Sequence, residues 1–346
     1  MNADAFDSVR AGDEFDWHAL ERHLRDHLEL PDGTMEVFQF TAGRANLTYL
    51  VTVGDARLVV RRPPRGHIAP GSHDMGREHR VLSALSPIFP RAPRSLYFCD
   101  DSSVIDAPFV VIEYRDGQVI TGAVPASMAH HPDVARRVCL ALIDAMAELH
   151  TVDIEAAGLE DIGNANGFAE RQVSGWCDRM RRVASPETES SLEAVADALH
   201  RQLPTKQRSA VVHNDLKLDN CQFQPEDPDH VTSVFDWAMA TIGDPMFDLG
   251  TLIVSSRAQP TWALSRDDVA VRYEQRSGLD LDPLPWYEAF ALWRSAVVVL
   301  QLHHRFTTGD TTDDRMSSFV AQVPDIAAQS LALLRTHGQT NRARKQ

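Results

Sequence analysis

The stretch VVHNDLKLDNCQF, residues 211–223, decides how the rest of the chain is read. It sets His213, Asp215, Lys217 and Asp219, with the amides of Asn214 and Asn220, between apolar flanks. A buried hairpin has no use for that much polarity, because each polar group taken from water must find a partner. Read by role, His213, Asp215, Leu216 and Asn220 follow the H-x-D-L-x-x-x-N pattern of a kinase catalytic loop, with Asn214 in the place of its arginine. Phosphoryl transfer needs a positioned hydroxyl, a carboxylate to take its proton and ligands for a metal that neutralises phosphate charge. Asp215 fits the proton acceptor, and Asn220 offers a neutral oxygen to Mg²⁺. A hard cation prefers oxygen ligands. Asp236, at the end of the apolar run VTSVFDW (231–237), stands where a second ligand is needed. Lys217, beside Asp215, is a point charge suited to the γ-phosphate. The competing reading is a capped turn, since Asp and Asn side chains cap turns routinely. The strand, Asp and Trp that follow favour chemistry.

A kinase reading makes demands on the N-terminal third. The segments MEVFQF (35–40), LTYLVTV (47–53) and ARLVVRR (56–62) are short, β-rich and separated by glycine-containing turns, the pattern of antiparallel strands. The first two flank Ala42, Gly43 and Ala45, small residues whose backbone N–H groups suit phosphate. Arg61 and Arg62 end the third strand, and alternation sends them to opposite faces. Arg61 aligns with the basic strand residue of kinases, and Glu78, on a helix expected over 76–86, is its candidate partner. A strand at 108–114 ends in EYRDG, read as a hinge where backbone groups of Glu113 and Arg115 meet the nucleotide base. Helices are expected at 15–30, 133–150, 167–183, 190–203 and 285–306 from apolar spacing. The class is therefore α+β, with a strand-rich N-lobe at 1–117 and a helical C-lobe at 118–346. The absence of βαβ alternation excludes a doubly wound sheet.

Composition sets outer limits. The 346 residues are 43% hydrophobic and 24% charged, as in globular proteins, and carry a formal charge of −15. That charge argues against a nucleic-acid surface. No apolar run nears the roughly 20 residues of a membrane-spanning helix. The polar start MNADAFDSVR and the scattered cysteines Cys99, Cys139, Cys177 and Cys221 lead us to expect a cytoplasmic protein with reduced thiols. Lysine occurs only at 206, 217 and 345, so any basic function before residue 206 falls to arginine.

FTAGRANLTYLV, VVRRPPRG, GREHRVLSAL, AELHTVD, GFAERQVSGW, VVHNDLKLDNCQF and VFDWAMATIGDPMFDLG together resemble the aminoglycoside phosphotransferase/choline kinase-like superfamily. More narrowly, the chain resembles the kinase-like proteins related to the N-terminal domain of certain acyl-CoA dehydrogenase fusions. The resemblance implies a protein-kinase-like bilobal fold, ATP or GTP with Mg²⁺, and a small-molecule hydroxyl as acceptor. It implies that Asp248, in GDPMFDLG, braces the catalytic loop. The chain departs from the pattern in using arginine on the basic strand and Asn214 where glycine is frequent. Two acceptors stay open: a hydroxyacyl-CoA, with Arg62 and Arg65 near its phosphates, and an aminoglycoside or other amino-alcohol, which suits the acidic chain. A catalytically silent nucleotide-binding module is the third reading. Arg171, Gln172 and Trp176, on nearly one face of the 167–183 helix, are expected to wall the acceptor site.

Overall fold

A computed structural model of the chain describes residues 6–41, 46–65, 73–205, 207–309, 316 and 319–344, with side chains to residue 336. The chain divides into two compact units. The first comprises 1–148, 152–162 and 216–240, and the second 149–151, 163–215 and 241–346. The stretch 211–223 is therefore split between them, immediately after Asp215.

In the first unit, β1 (Phe6–Asp7), β2 (Met35–Phe40), β3 (Leu47–Val53), β4 (Ala56–Arg62), β5 (Ser95–Cys99) and β6 (Phe109–Glu113) form one antiparallel sheet in the order β1-β2-β3-β4-β6-β5. The strands at 35–40, 47–53 and 56–62 have the expected bounds. Strand alternation divides the sheet's side chains. Tyr49, Val51, Leu58, Val60, Phe109 and Val111 join Leu20 and Leu24 of α1 (Trp17–His27) in one core. Leu50, Val59, Val110 and Ile112 are buried on the other face, and α2 (Met75–Leu85) packs against β5 and β6 with Val81, Leu82 and Leu85 fully buried. Each such side chain contributes about 1.5–3 kcal/mol on removal from water. Both helices start on an aspartate: Asp16 accepts from the Ala19 N–H and Asp74 from the Arg77 N–H, each at 2.9 Å.

A three-stranded sheet, β10-β9-β7, completes this unit from β7 (Gln118–Val119), β9 (Cys221–Gln224) and β10 (Asp227–Val234). The sequence reading left 221–224 in a loop. It is a strand because Cys221 and Phe223 bury one face while Gln222 and Gln224 take the other. The strand expected over 231–237 instead runs 227–234, which leaves Asp236 in the turn after it. The long helix α3 (Val134–His150) buries Val138, Leu142, Ile143, Met146 and Leu149 as its spacing indicates.

The second unit is helical. It contains α4 (Phe168–Arg181), α5 (Pro186–Arg201), α6 (Met246–Ser256), α7 (Arg266–Ser277), α8 (Leu284–Thr307) and α9 (Val323–Arg344). Its two-stranded sheet pairs β8 (Ala210–Val212) with β11 (Thr241–Gly243). Phe247 stands edge-on to Phe168, Trp286, Tyr287 and Phe290, an aromatic core that fixes α6 against α8. The glycine of α6 has a steric reason. A Cβ on Gly250 would lie 2.8 Å from the Tyr287 carbonyl carbon and oxygen. Among the described residues no helix is long and apolar enough to cross a membrane.

Candidate active site

The first unit gathers the charged groups expected at a nucleotide's phosphates. Arg61 leaves β4 on the face that carries α2. Its guanidinium donates to the Glu78 carboxylate in the first turn of α2 and, at 3.0 Å, to Asp236 Oδ1. Glu78 is wholly buried, whereas the Asp236 side chain is 34% exposed. Burial works against the Arg61 charge, but Glu78 and Asp236 outweigh it and hold its pKa above the ordinary arginine value. The planar fork explains how arginine serves here: two carboxylates are bridged by one rigid group, which a lysine point charge does less well.

Arg62 settles the choice that alternation left open. It points to the other face, where it donates to the Pro63 and Ile105 carbonyls and lies 5.5 Å over the Phe15 ring. It is 3% exposed, so the expectation that it meets an acceptor's phosphates is corrected: the guanidinium is consumed inside the protein. Arg65 donates to the Glu14 carbonyl.

Asn220 and Asp236 come together through the β9–β10 ladder. Val234 pairs with Cys221, and the Phe235 N–H donates to the Asn220 carbonyl at 2.8 Å, so Asn220 lies just before β9 and Asp236 just after β10 at the paired ends of the two strands. Asp236 has φ +65°, a left-handed conformation that costs a non-glycine residue free energy and is found where function requires it. An amide oxygen and a partly exposed carboxylate form an oxygen donor set, the kind Mg²⁺ takes. Among the described residues no three His, Cys, Asp or Glu side chains cluster as a metal site. These two groups would therefore leave most of the ion's shell to water and phosphate oxygens, as Mg²⁺ favours.

At the end of β6, where a hinge is expected, Glu113 accepts from the Arg94 N–H at 2.9 Å, the Arg94 side chain at 2.7 Å and the Arg115 Nε at 2.6 Å. Arg115 also donates to the Ala92 and Thr232 carbonyls. Both side chains are spent on tying strands, and the Glu113 N–H is committed to the Arg94 carbonyl. A pocket of about 620 Å³ opens beside Tyr114, Gly117, Gln118, Gln224 and Thr232, and none of the candidate site residues lines it. Gly43 lies outside the described residues.

In the second unit the loop carrying Asp215 is strapped to α6. The two oxygens of Asp248 accept from the His213 and Asn214 N–H groups, both at 2.7 Å. His150 Nε2 meets Asp248 Oδ2 at 3.2 Å, and His150 Nδ1 meets the Tyr273 hydroxyl at 2.7 Å. Burial pushes the Asp248 carboxyl up, but His150, His213 and the backbone donors more than offset it and leave its pKa below the ordinary aspartate value. His213 is fully buried and its Nδ1 accepts from the Asp215 N–H, a structural role. Asn214 has φ +68°, the conformation that favours glycine and that asparagine tolerates better than most residues. That accounts for the departure noted in the sequence. Lys217 precedes the 3₁₀ turn Leu218–Asn220 and accepts from the Asn220 N–H through its carbonyl.

The sequence model of the phosphotransferase enzyme family matches residues 36–289. The chain belongs to that family. Among curated relatives, acyl-CoA dehydrogenase family member 10 of Mus musculus is 29% identical over 91% of this chain, and the match covers 30% of the mouse protein. The chain thus spans about a third of the length of that relative. A crystal structure from Ralstonia eutropha, assigned to the aminoglycoside phosphotransferases, matches with TM-score 0.79 and 25% identity over 93% of this chain and 99% of that one. An aminoglycoside phosphotransferase in ternary complex with AMP-PNP and hygromycin B matches with TM-score 0.60 and 16% identity over 92% and 99% of the two chains, a likeness of fold. The expected kinase-like α+β class is thereby shown for this phosphotransferase-family chain.

The structure also brings in residues that the sequence reading did not single out. His150 lies within AELHTVD, quoted for the family likeness without a role. Arg294 reaches the loop carrying Asp215, and Tyr273 reaches the His150 that meets Asp248, both from distant helices, and nothing local marks them. Arg294 donates to the Asn214 carbonyl at 3.2 Å. Arg171, expected on the acceptor wall, donates to the Asn164 and Asn166 carbonyls ahead of α4.

Proposed function

We propose that this phosphotransferase-family chain is a small-molecule kinase that uses ATP or GTP with Mg²⁺ to phosphorylate an alcohol. Asp215 takes the proton of the acceptor hydroxyl as its oxygen attacks the γ-phosphorus, and the bond to the β-phosphate oxygen breaks. Asp248 and His213 fix the backbone from which Asp215 projects. Arg61, held by Glu78, and Lys217 contact nucleotide phosphates, while Gly43 and the backbone at Glu113 and Arg115 seat the nucleotide. Asn220 and Asp236 would hold Mg²⁺, which supplies neutralisation of phosphate charge when bound. Residues 1–117 are taken as the nucleotide-binding lobe and 118–346 as the lobe with the catalytic loop and acceptor site.

The observation that carries the reading is the Glu78–Arg61–Asp236 bridge, which connects a strand, a helix and the residue after β10 in a member of a phosphotransferase family. Relatives named for acyl-CoA chemistry make a hydroxyacyl-CoA the first acceptor to test. The Ralstonia structure assigned to the aminoglycoside phosphotransferases makes an aminoglycoside the second. With buried thiols and no long apolar helix among the described residues, we take the reaction to run in the cytoplasm, without nucleic-acid or membrane partners. The test is nucleotide turnover with each acceptor in wild type, Asp215→Ala and Asp236→Ala. The kinase reading requires that Asp215→Ala lose transfer and Asp236→Ala lose Mg²⁺-dependent nucleotide binding; wild-type rates in Asp215→Ala would sink it.

A further inference from the structure

Trp176 of α4 carries two guanidinium groups. The Arg179 Cζ lies 4.5 Å from the indole centroid, one turn further along the same helix, and the Arg294 Cζ of α8 lies 5.5 Å from it. Arg294 also donates to the carbonyl of Asn214, the residue before Asp215. A pair of cations has thus been brought to the side of the candidate base. Among the described residues, neither arginine has a carboxylate within ion-pair distance, although this chain has 49 Asp and Glu against 34 Lys and Arg. Other arginines of the same unit do find such partners: Arg181 pairs with Glu193 and Arg266 with Glu288.

Burial lowers the Arg294 pKa; Asp215 and Asp248 oppose this from a distance, and Arg179 reinforces it. The charge is under-compensated in place. Indole faces hold guanidinium groups through cation–π attraction without using their N–H donors. The stacking therefore orients both forks while leaving donors for another group. Planar forks of this kind match the two oxygens of a carboxylate or the oxygens of a phosphate.

We propose that Trp176, Arg179 and Arg294 form an acceptor-side oxyanion subsite, so that the alcohol phosphorylated here carries a carboxylate or phosphate group and is not a polycation. This rests on the kinase reading of Asp215 and names the acceptor class for the same site. An aminoglycoside ammonium would meet two like charges beside the base, which costs free energy in a partly desolvated site. A hydroxy acid would meet one arginine fork close to its hydroxyl, and a hydroxyacyl-CoA would bring phosphates from further off.

The test compares 3-hydroxybutyrate, its methyl ester, 3-hydroxybutyryl-CoA and kanamycin. Binding is followed by calorimetry and transfer by nucleotide turnover, in wild type, Arg179→Gln, Arg294→Gln and Arg294→Lys. Arg179 is exposed, so Arg179→Gln keeps the test usable where Arg294→Gln fails to fold. The expected result is tighter binding of an anionic acceptor than of the ester, no binding of kanamycin, and a roughly tenfold rise in Kd or KM for the anionic acceptor in each Gln variant. ADP affinity should change by less than about twofold in each variant, with partial recovery of anion affinity in Arg294→Lys. A carboxylate source shows as preference for the free acid, and a phosphate source as preference for the CoA ester. Binding of the acid and of the CoA ester no tighter than that of the methyl ester, or unchanged anion affinity in Arg179→Gln and Arg294→Gln, overturns the subsite while leaving a kinase that transfers to neutral alcohols. Arginine-dependent anion binding without any phosphoryl transfer supports the subsite and overturns the kinase reading.

Discussion

Removing the Asp248 carboxylate should unfasten the catalytic loop. In the Asp248→Ala chain, the buried His213 N–H and the Asn214 N–H lose their acceptor, and His150 loses its Nε2 partner. Each buried donor left unsatisfied costs about 1–3 kcal/mol. Two backbone donors and an imidazole together give roughly 3–9 kcal/mol, against a typical total stability of about 5–15 kcal/mol. At about 2 °C per kcal/mol, the lower end of the range for chains of about 150–250 residues, the thermal midpoint should fall by at least about 6 °C. Asp248→Asn keeps the volume and one acceptor oxygen, so it should lose about half as much. It also separates folding from catalysis. If the strap positions Asp215, kcat should drop by about 10- to 100-fold, the scale on which small misplacements act, while nucleotide KM stays within about twofold. Circular dichroism melting and steady-state turnover measure the two effects. A midpoint within 2 °C of wild type for Asp248→Ala, or undiminished kcat in Asp248→Asn, would refute the brace.

Three further outcomes follow from the same geometry. The Asp248 pKa lies below its ordinary value when folded, so its stabilisation is present above about pH 4 and is lost as pH falls through the folded value; the melting difference between wild type and Asp248→Asn should shrink across that range in acid, and a constant difference would contradict it. Arg61→Ala strands the fully buried Glu78, a loss of about 3–5 kcal/mol. Adding Glu78→Gln should recover part of it, which urea titration of the double-mutant cycle checks. Gly250→Ala gains at most about 1 kcal/mol of helix propensity. It places a methyl 2.8 Å from the Tyr287 carbonyl, an overpacking cost of about 1–3 kcal/mol, so the melting midpoint should fall rather than rise.

The primary structure alone carried the strands at 35–40, 47–53 and 56–62, the helices and their buried faces, and the roles of Asp215, Asn220 and Asp236 as candidates. These are local signals: period-two and period-3.6 patterns, turn residues, and a motif whose spacing is set by one loop. The choice between Arg61 and Arg62 was not local. Alternation separates the two, but only the packing of α2 on one face and of Phe15 and Ile105 on the other says which arginine meets the carboxylates. The strand at 221–224 escaped the reading because its buried face needs a neighbouring strand before it reads as anything but loop. Tyr273 and Arg294 escaped it for the same reason, since a hydroxyl on α7 and a guanidinium on α8 gain meaning only where the chain folds back on residues 150 and 214. VVHNDLKLDNCQF thus marked its candidate chemistry through spacing. What braces that loop, and the cationic character of its surroundings, was decided by side chains far away in sequence, because hydrogen bonds and ion contacts depend on distance in space.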